Sequence, residues 1–238
     1  MRNDLPKVKY VFCLTGNPSS ERQALYGEQV RMDFLRAGIN VGIRYGASCN
    51  VYVGRNACLR TSGTWRRDQK PLEGFCDYER LIWVDPDNMI DTAIIERLLA
   101  WDVDIVGAWY RMPGSDGISD NDKTACGYWN GKASRMDSAS PLTVEEIKAY
   151  PFQKEIPRQL IEVDWTGFGC LVVKKGVFEA LTFPWFEGNT LRWTDDEGIE
   201  YAVVETDDGA WCYKVQQAGF KIYIDPACQS LHEKRMLI

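Results

Sequence analysis

The chain has 238 residues, 45% of them apolar and 26% charged, a length that fits one domain able to bury a core without disulfides or a structural metal. Its net charge of -6 argues against indiscriminate binding to a polyanion, where a basic surface supplies most of the affinity, and no stretch reaches the roughly 18 apolar residues of a membrane span. The eight cysteines are scattered with no CxxC pair, and Cys13 and Cys170 sit in apolar runs, so the thiols read as free and buried; the opening Met1-Arg2-Asn3-Asp4-Leu5-Pro6 lacks the apolar core of a secretion signal, which predicts a cytoplasmic protein.

Residues 8–14 read as a mostly buried strand, followed by a loop over residues 15–20 with helix-capping chemistry. Apolar residues Ala24, Leu25, Val30, Met32, Phe34 and Leu35 predict a helix over residues 21–37, ended by Gly38. A second strand follows at 39–44. Gly54-Arg55-Asn56 precedes Ala57-Cys58-Leu59, which opens another helix before a polar loop at 61–74 and a strand at 80–84. A helix from Asp91 to Ala100, with an acid in its first turn, leads to a strand at 104–110. This strand, helix, strand unit predicts parallel neighbours joined by a right-handed crossover. Residues 111–157 are poorer in pattern and read as a functional loop or small subdomain with a short helix at 143–149. Strands at 161–164 and 168–173, helices at 176–181 and 208–219, and a last strand at 221–225 complete an α/β alternation.

The run Leu81-Ile82-Trp83-Val84-Asp85-Pro86-Asp87-Asn88 ends in two carboxylates one residue apart. Pro86 stops the strand, and an extended chain projects Asp85 and Asp87 from one side. Paired hard oxygen ligands suit Mg²⁺ or Mn²⁺, and such a cation bridges phosphate oxygens of a nucleotide. The same residues also make an ordinary solvated turn.

Arg55-Asn56 upstream of this run, Asp164-Trp165-Thr166-Gly167-Phe168-Gly169 downstream, then Thr206-Asp207-Asp208-Gly209 and the only histidine, His232, stand in an order that resembles the GT-A-fold glycosyltransferases, in particular small family-2-like enzymes of bacteriophages and bacteria. The resemblance runs from about residue 8 to residue 232. It implies a GT-A, Rossmann-like α/β domain over residues 1–238 with a mixed, mainly parallel sheet flanked by helices. About 1–110 would form the nucleotide half and about 111–238 the acceptor half. It further implies that Asp85 and Asp87 form the DxD metal motif with His232 as third ligand, a donor set that favours Mn²⁺ over Mg²⁺. On the same grounds Asp208 would be the catalytic base of an inverting transfer, with Asp207 in place of the usual Glu beside it. Thr15 and Gly16 would lie by the base and ribose of a donor, UDP-linked on this resemblance. Arg55 and Asn56 would lie by the nucleotide or its phosphates, and Trp165, Thr166 and Gly167 beside the donor sugar.

The acceptor stays open: a glycan, a small molecule, or a hydroxymethylated pyrimidine in phage DNA. For DNA, Arg60, Arg66, Arg67, Lys70 and Arg80 could follow the backbone while Trp65 stacks on a base, although a solvated charged loop explains the same residues. Two other classes compete. A nucleotidyltransferase would carry a basic, glycine-rich loop after its first strand, which Thr15-Gly16-Asn17-Pro18-Ser19-Ser20 lacks, and a non-catalytic carbohydrate-binding or structural protein could keep the fold.

Overall fold

The first strand, β1 (Tyr10–Thr15), is buried along nearly its whole length, as a strand covered by helices on both faces must be. Val11 and Cys13 enter one core and Phe12 the other. The structure, a computed structural model, describes residues 5–16, 21–46, 48–61, 65–112, 119–129, 139–150, 160–188, 190–194, 197–204 and 206–232. Residues 17–20 of the expected ligand loop, and parts of the poorly patterned 111–157 segment, lie outside them.

Along the chain β1 is followed by α1 (Glu21–Arg36), β2 (Val41–Gly46), α2 (Val51–Leu59), β3 (Arg80–Val84), β4 (Asn88–Met89), α3 (Thr92–Leu99) and β5 (Ile105–Trp109). Next come β6 (Lys123–Trp129), β7 (Ala139–Thr143), α4 (Val144–Ala149), β8 (Ile161–Val163), β9 (Trp165–Thr166), β10 (Cys170–Lys174) and α5 (Val177–Ala180). The last elements are β11 (Thr190–Thr194), β12 (Glu200–Val204), α6 (Asp207–Gln217), β13 (Ile222–Gln229) and β14 (Leu231–His232).

Seven strands form the central sheet in the order β2-β1-β3-β10-β5-β13-β8. All run the same way except β10 and β8, which are antiparallel to their neighbours. This is the mixed, mainly parallel sheet expected. One detail is corrected: β3 and β5 run in the same direction but are not neighbours, because β10 lies between them and pairs antiparallel to both. Leu171, Val172 and Val173 of β10 are fully buried, so this strand suits a central position at least as well as β5 does. Hydrophobic pattern alone carries no information on which buried strand inserts where.

The helices divide into two layers. α1 and α3 cover one face through Val30, Phe34, Ile95 and Leu98, and Asp91 caps α3 by accepting from the Ile94 amide at 2.8 Å. On the other face α2, α4, α5 and α6 enclose an aromatic cluster in which Trp83, Phe168, Phe178, Phe186 and Trp211 meet ring to ring. Seven of the eight free cysteines are buried and only Cys49 is exposed.

Short pieces missed by the pattern do the positioning. β14 pairs antiparallel with β4, setting His232 opposite Asn88. β7, β6 and β9 form a separate three-stranded sheet within and just after the segment read as loop or subdomain. β11 and β12 form a hairpin. Among the described residues no helix is long and apolar enough to cross a membrane.

Candidate functional site

Parallel strands of an α/β sheet end on one side, and ligands collect there. Here β1 ends at Thr15 and β3 at Val84, so Thr15 and Asp85 are adjacent and the Thr15 hydroxyl donates to Asp85 Oδ1 at 2.7 Å. α2 begins at Asn50, whose side chain accepts from the Tyr52 and Val53 amides, and its inner face carries Arg55 into the same place.

Arg55 is only 2% exposed and forms the hub. Its Nη2 donates to both oxygens of Asp85, at 2.8 and 3.1 Å. Its Nη1 donates to Asp207 and to Asp208. The guanidinium carbon lies 4.5 Å from the centroid of Phe168 and 5.8 Å from that of Phe186, so apolar rings close it off from water. Both acids can turn to Arg55 because the cap of α6 is Thr206, which accepts from the Gly209 amide. Arg55 was expected to face phosphate; it sits instead among three carboxylates, and an incoming phosphate would have to displace one of them.

Three carboxylates around one buried cation leave surplus negative charge, and protonation answers it. Burial is the largest influence on Asp208 and raises its carboxyl; Arg55 pulls it down, and Asp207 and Asp85 push it up, leaving it at about 7. The Asp208 side chain nevertheless keeps 26% of its surface open to solvent. Asp207 is raised for the same first reason, burial, with Arg55 again opposing. Burial works against the charge on Arg55, but the three carboxylates outweigh it and hold the guanidinium protonated.

On the other side of the turn, Asp87 Oδ2 lies 2.8 Å from His232 Nε2. His232 Nδ1 lies 3.3 Å from the carbonyl of Arg111. Both partners only accept, and the 2.8 Å contact is the stronger of the two, so Nε2 carries the ring proton and donates to Asp87. A carboxylate beside an imidazole is also a common pair of metal ligands, and a cation held there would take the place of that hydrogen bond. Asp85, expected as a third member, is turned to Arg55 and Thr15. Among the described residues no group of three or more His, Cys, Asp or Glu is placed to hold a metal ion. Ser230 fixes the ribbon behind His232: its amide donates to the Trp109 carbonyl at 2.9 Å and its hydroxyl to Asn88 Oδ1 at 2.8 Å.

Tyr110 links the two halves and was not anticipated. It is nearly buried, packs edge-on to His232 with ring centroids 5.0 Å apart, and has its hydroxyl pushed well above the usual phenol range by burial and by Asp208 and Asp85. Gly167 and Gly169 make room for it. A Cβ at 167 would fall 2.0 Å from the Tyr110 hydroxyl, and one at 169 would fall 2.4 Å from its ring and 2.6 Å from Asn88 Oδ1. The glycine spacing was visible in the sequence, whereas the aromatic ring that requires it was not.

The other expected residues divide. Gly16, with φ +70°, passes against Pro86 at the mouth of an apolar cavity of about 310 Å³ under α1, walled by Phe12, Leu14, Val30, Ile43, Val84 and Ile95 and open beside Thr15 and Asp85. Asn56 does not present its amide to this mouth. It donates to the Tyr52 and Phe186 carbonyls and accepts from the Trp185 and Phe186 amides, so it ties down the segment Pro184-Trp185-Phe186. Thr166 is fully buried and its amide meets Cys212 Sγ of α6. Trp165 lies beside Trp129. The basic residues proposed for a DNA backbone do not gather at the site: Arg66 pairs with Asp68, Lys70 donates to the Glu179 carbonyl, and Arg80 donates to the Val103 and Trp101 carbonyls at the far end of β3.

No protein-family model matches the chain, and no curated protein matches it. Among solved structures it is similar to A197 from STIV, at 14% identity over 97% of both chains and a TM-score of 0.45; a likeness at that level says nothing about what this chain does.

Proposed function

We propose that the protein is a glycosyltransferase that moves a sugar from a nucleotide donor to an acceptor hydroxyl with inversion. The observation that carries this reading is the convergence of Asp85, Asp207 and Asp208 on buried Arg55, beside the Asp87–His232 pair. Carboxylates from two distant parts of the chain are held there, and burial raises both Asp207 and Asp208, which suits acid–base chemistry near neutral pH.

On this reading Asp208 accepts the proton of the acceptor hydroxyl, and a carboxyl at about 7 is matched to that work near neutral pH. Arg55 keeps Asp208 oriented and limits how far burial raises it. Asp207 shares the same guanidinium nitrogen and holds Arg55 in place. Phe168 and Phe186 exclude water from this ion cluster, which strengthens each charge contact in it. Thr15 orients Asp85, and the cavity under α1 offers apolar walls to the flat base of the donor. Asp87 and His232 are the residues that would hold a divalent cation; carboxylate with imidazole suits Mn²⁺. Such a cation would offset the charge of a departing diphosphate.

A thermal-shift series with UDP, GDP, CDP and TDP, each with Mn²⁺, Mg²⁺ or EDTA, tests the reading, because a ligand of the native state raises its melting temperature. The expected result is a Mn²⁺-dependent shift with one nucleotide that Asp87→Asn abolishes and Asp208→Asn retains. Absence of a shift with every nucleotide in a well-folded protein would reject the glycosyltransferase reading in favour of a non-catalytic protein.

A further inference from the structure

The three-stranded sheet presents two tryptophans to the turn that carries Asp208. Gly127 of β6 stands opposite Trp165 of β9. Side chains alternate along a strand, so Trp129 shares the face of Gly127 and lies diagonal to Trp165. The two indoles meet with centroids 6.0 Å apart and planes inclined by 30°. Both are anchored through polar atoms: the Trp129 amide donates to Asp164 Oδ2 at 2.9 Å, and Trp165 Nε1 to the Tyr128 carbonyl at 3.3 Å. Both keep part of their surface exposed. A Cβ built on Gly209, the residue directly after Asp208, would lie 3.6 Å from Trp129 Cη2. The indole edge therefore rests on the first turn of α6, one residue from the carboxylate that can take a proton.

Two kinds of chemistry meet at this spot. The indoles offer broad apolar faces of low conformational freedom. Beside them Asp207, Asp208 and Asp85 surround a single Arg55, so the electrostatic surplus on this side is negative and disfavours an acceptor with a phosphodiester backbone. A neutral sugar ring satisfies both, with its C–H face on an indole and its hydroxyls toward the carboxylates. We propose that the acceptor is a neutral sugar seated on Trp129 and Trp165, with one of its hydroxyls presented to Asp208. This rests on the reading of Asp208 as the base. It moves Trp165 from the donor side to the acceptor side and adds Trp129, which nothing in the sequence pattern had marked. In the transfer the acceptor oxygen bonds to the anomeric carbon of a nucleoside-diphosphate sugar as the bond from that carbon to the diphosphate oxygen breaks. The hydroxyl proton goes to Asp208 and the electron pair leaves with the diphosphate.

Saturation-transfer NMR on the full chain tests this with methyl glycosides of glucose, galactose and mannose and, in parallel, a duplex containing hydroxymethylcytosine. The expected result is transfer to at least one glycoside, weakened about tenfold or more by Trp129→Ala, close to 1.4 kcal/mol, and largely restored by Trp129→Phe. Retention of the nucleotide thermal shift by the tryptophan variants shows that they are folded. No saturation of any glycoside in a protein that binds a nucleotide would overturn the sugar platform while leaving the donor reading intact. Preferential binding of the duplex would overturn it in favour of a nucleic-acid acceptor. Glycoside binding that depends on Trp129, in a protein that binds no nucleotide, would keep the platform as a sugar site and remove the transferase reading.

Discussion

The two halves of the site use the same residue type in opposite ways. Around Arg55 the carboxylates of Asp85, Asp207 and Asp208 are closed in on a cation that is 2% exposed and shielded by Phe168 and Phe186. Beside it the Asp87 side chain is 34% exposed and its partner is a histidine. The first half supplies its own counter-ion, and its charges depend on one another. The second half pairs a carboxylate with an imidazole at a more open place. A single strand end thus delivers Asp85 to a structural ion cluster and Asp87, two residues later, to an open pair.

The sharpest way to break this contrast is to remove the cation of the closed half. Arg55→Met leaves three carboxylates without their partner, and breaking a buried ion cluster from one side costs about 3–5 kcal/mol. Urea unfolding should show a loss of that order. A loss under about 1 kcal/mol would mean that the cluster does not form in solution.

Proton linkage separates the halves next. Asp208 is raised in the folded state to about 7, above its unfolded value of about 3.9. The folded protein therefore binds the proton more tightly, its contribution is fully present below about pH 4, and it is lost as pH rises through about 7. Stability should fall across that window, and Asp208→Asn should flatten the fall, as read by unfolding at pH 5 and pH 8. Activity, where assayed, should rise over the upper part of the same window, because the base must be deprotonated.

The smallest effects sharpen the comparison at its edges. Ser230→Ala removes the buried donor that serves Asn88 behind the open pair and should cost about 1–3 kcal/mol. Arg66→Ala breaks an ion pair whose side chains are 57% and 75% exposed, and should change stability by less than about 1 kcal/mol. Parallel melting curves check both. Equal effects would show that burial does not set the scale.

Much of the fold was legible because it rests on local periodicity. The apolar run of β3 stopped by Pro86 and the amphipathic α3 led by Asp91 can be placed without knowing their neighbours. The short strands could not be. β4 and β14 have two residues each, too few for any period, and exist because they pair with each other across the chain. β10 reads as a buried strand, yet its place between β3 and β5 depends on which edges are open when it packs. In the site, the acids and the lone histidine were conspicuous by residue type. That Arg55 turns to carboxylates and Asn56 to the backbone of Trp185 and Phe186 follows only from what surrounds them.

The sequence by itself determined the α/β class, the free cysteines, and the chemical inventory at 85, 87, 207, 208 and 232, because hydrophobic period and residue type are properties of short segments. Only the tertiary structure decided who meets whom: Arg55 with three acids, Asp87 with His232, Tyr110 over Gly167 and Gly169, and Trp129 beside Trp165. Those contacts join residues far apart in the chain, and their energies depend on burial and distance, which no local pattern encodes.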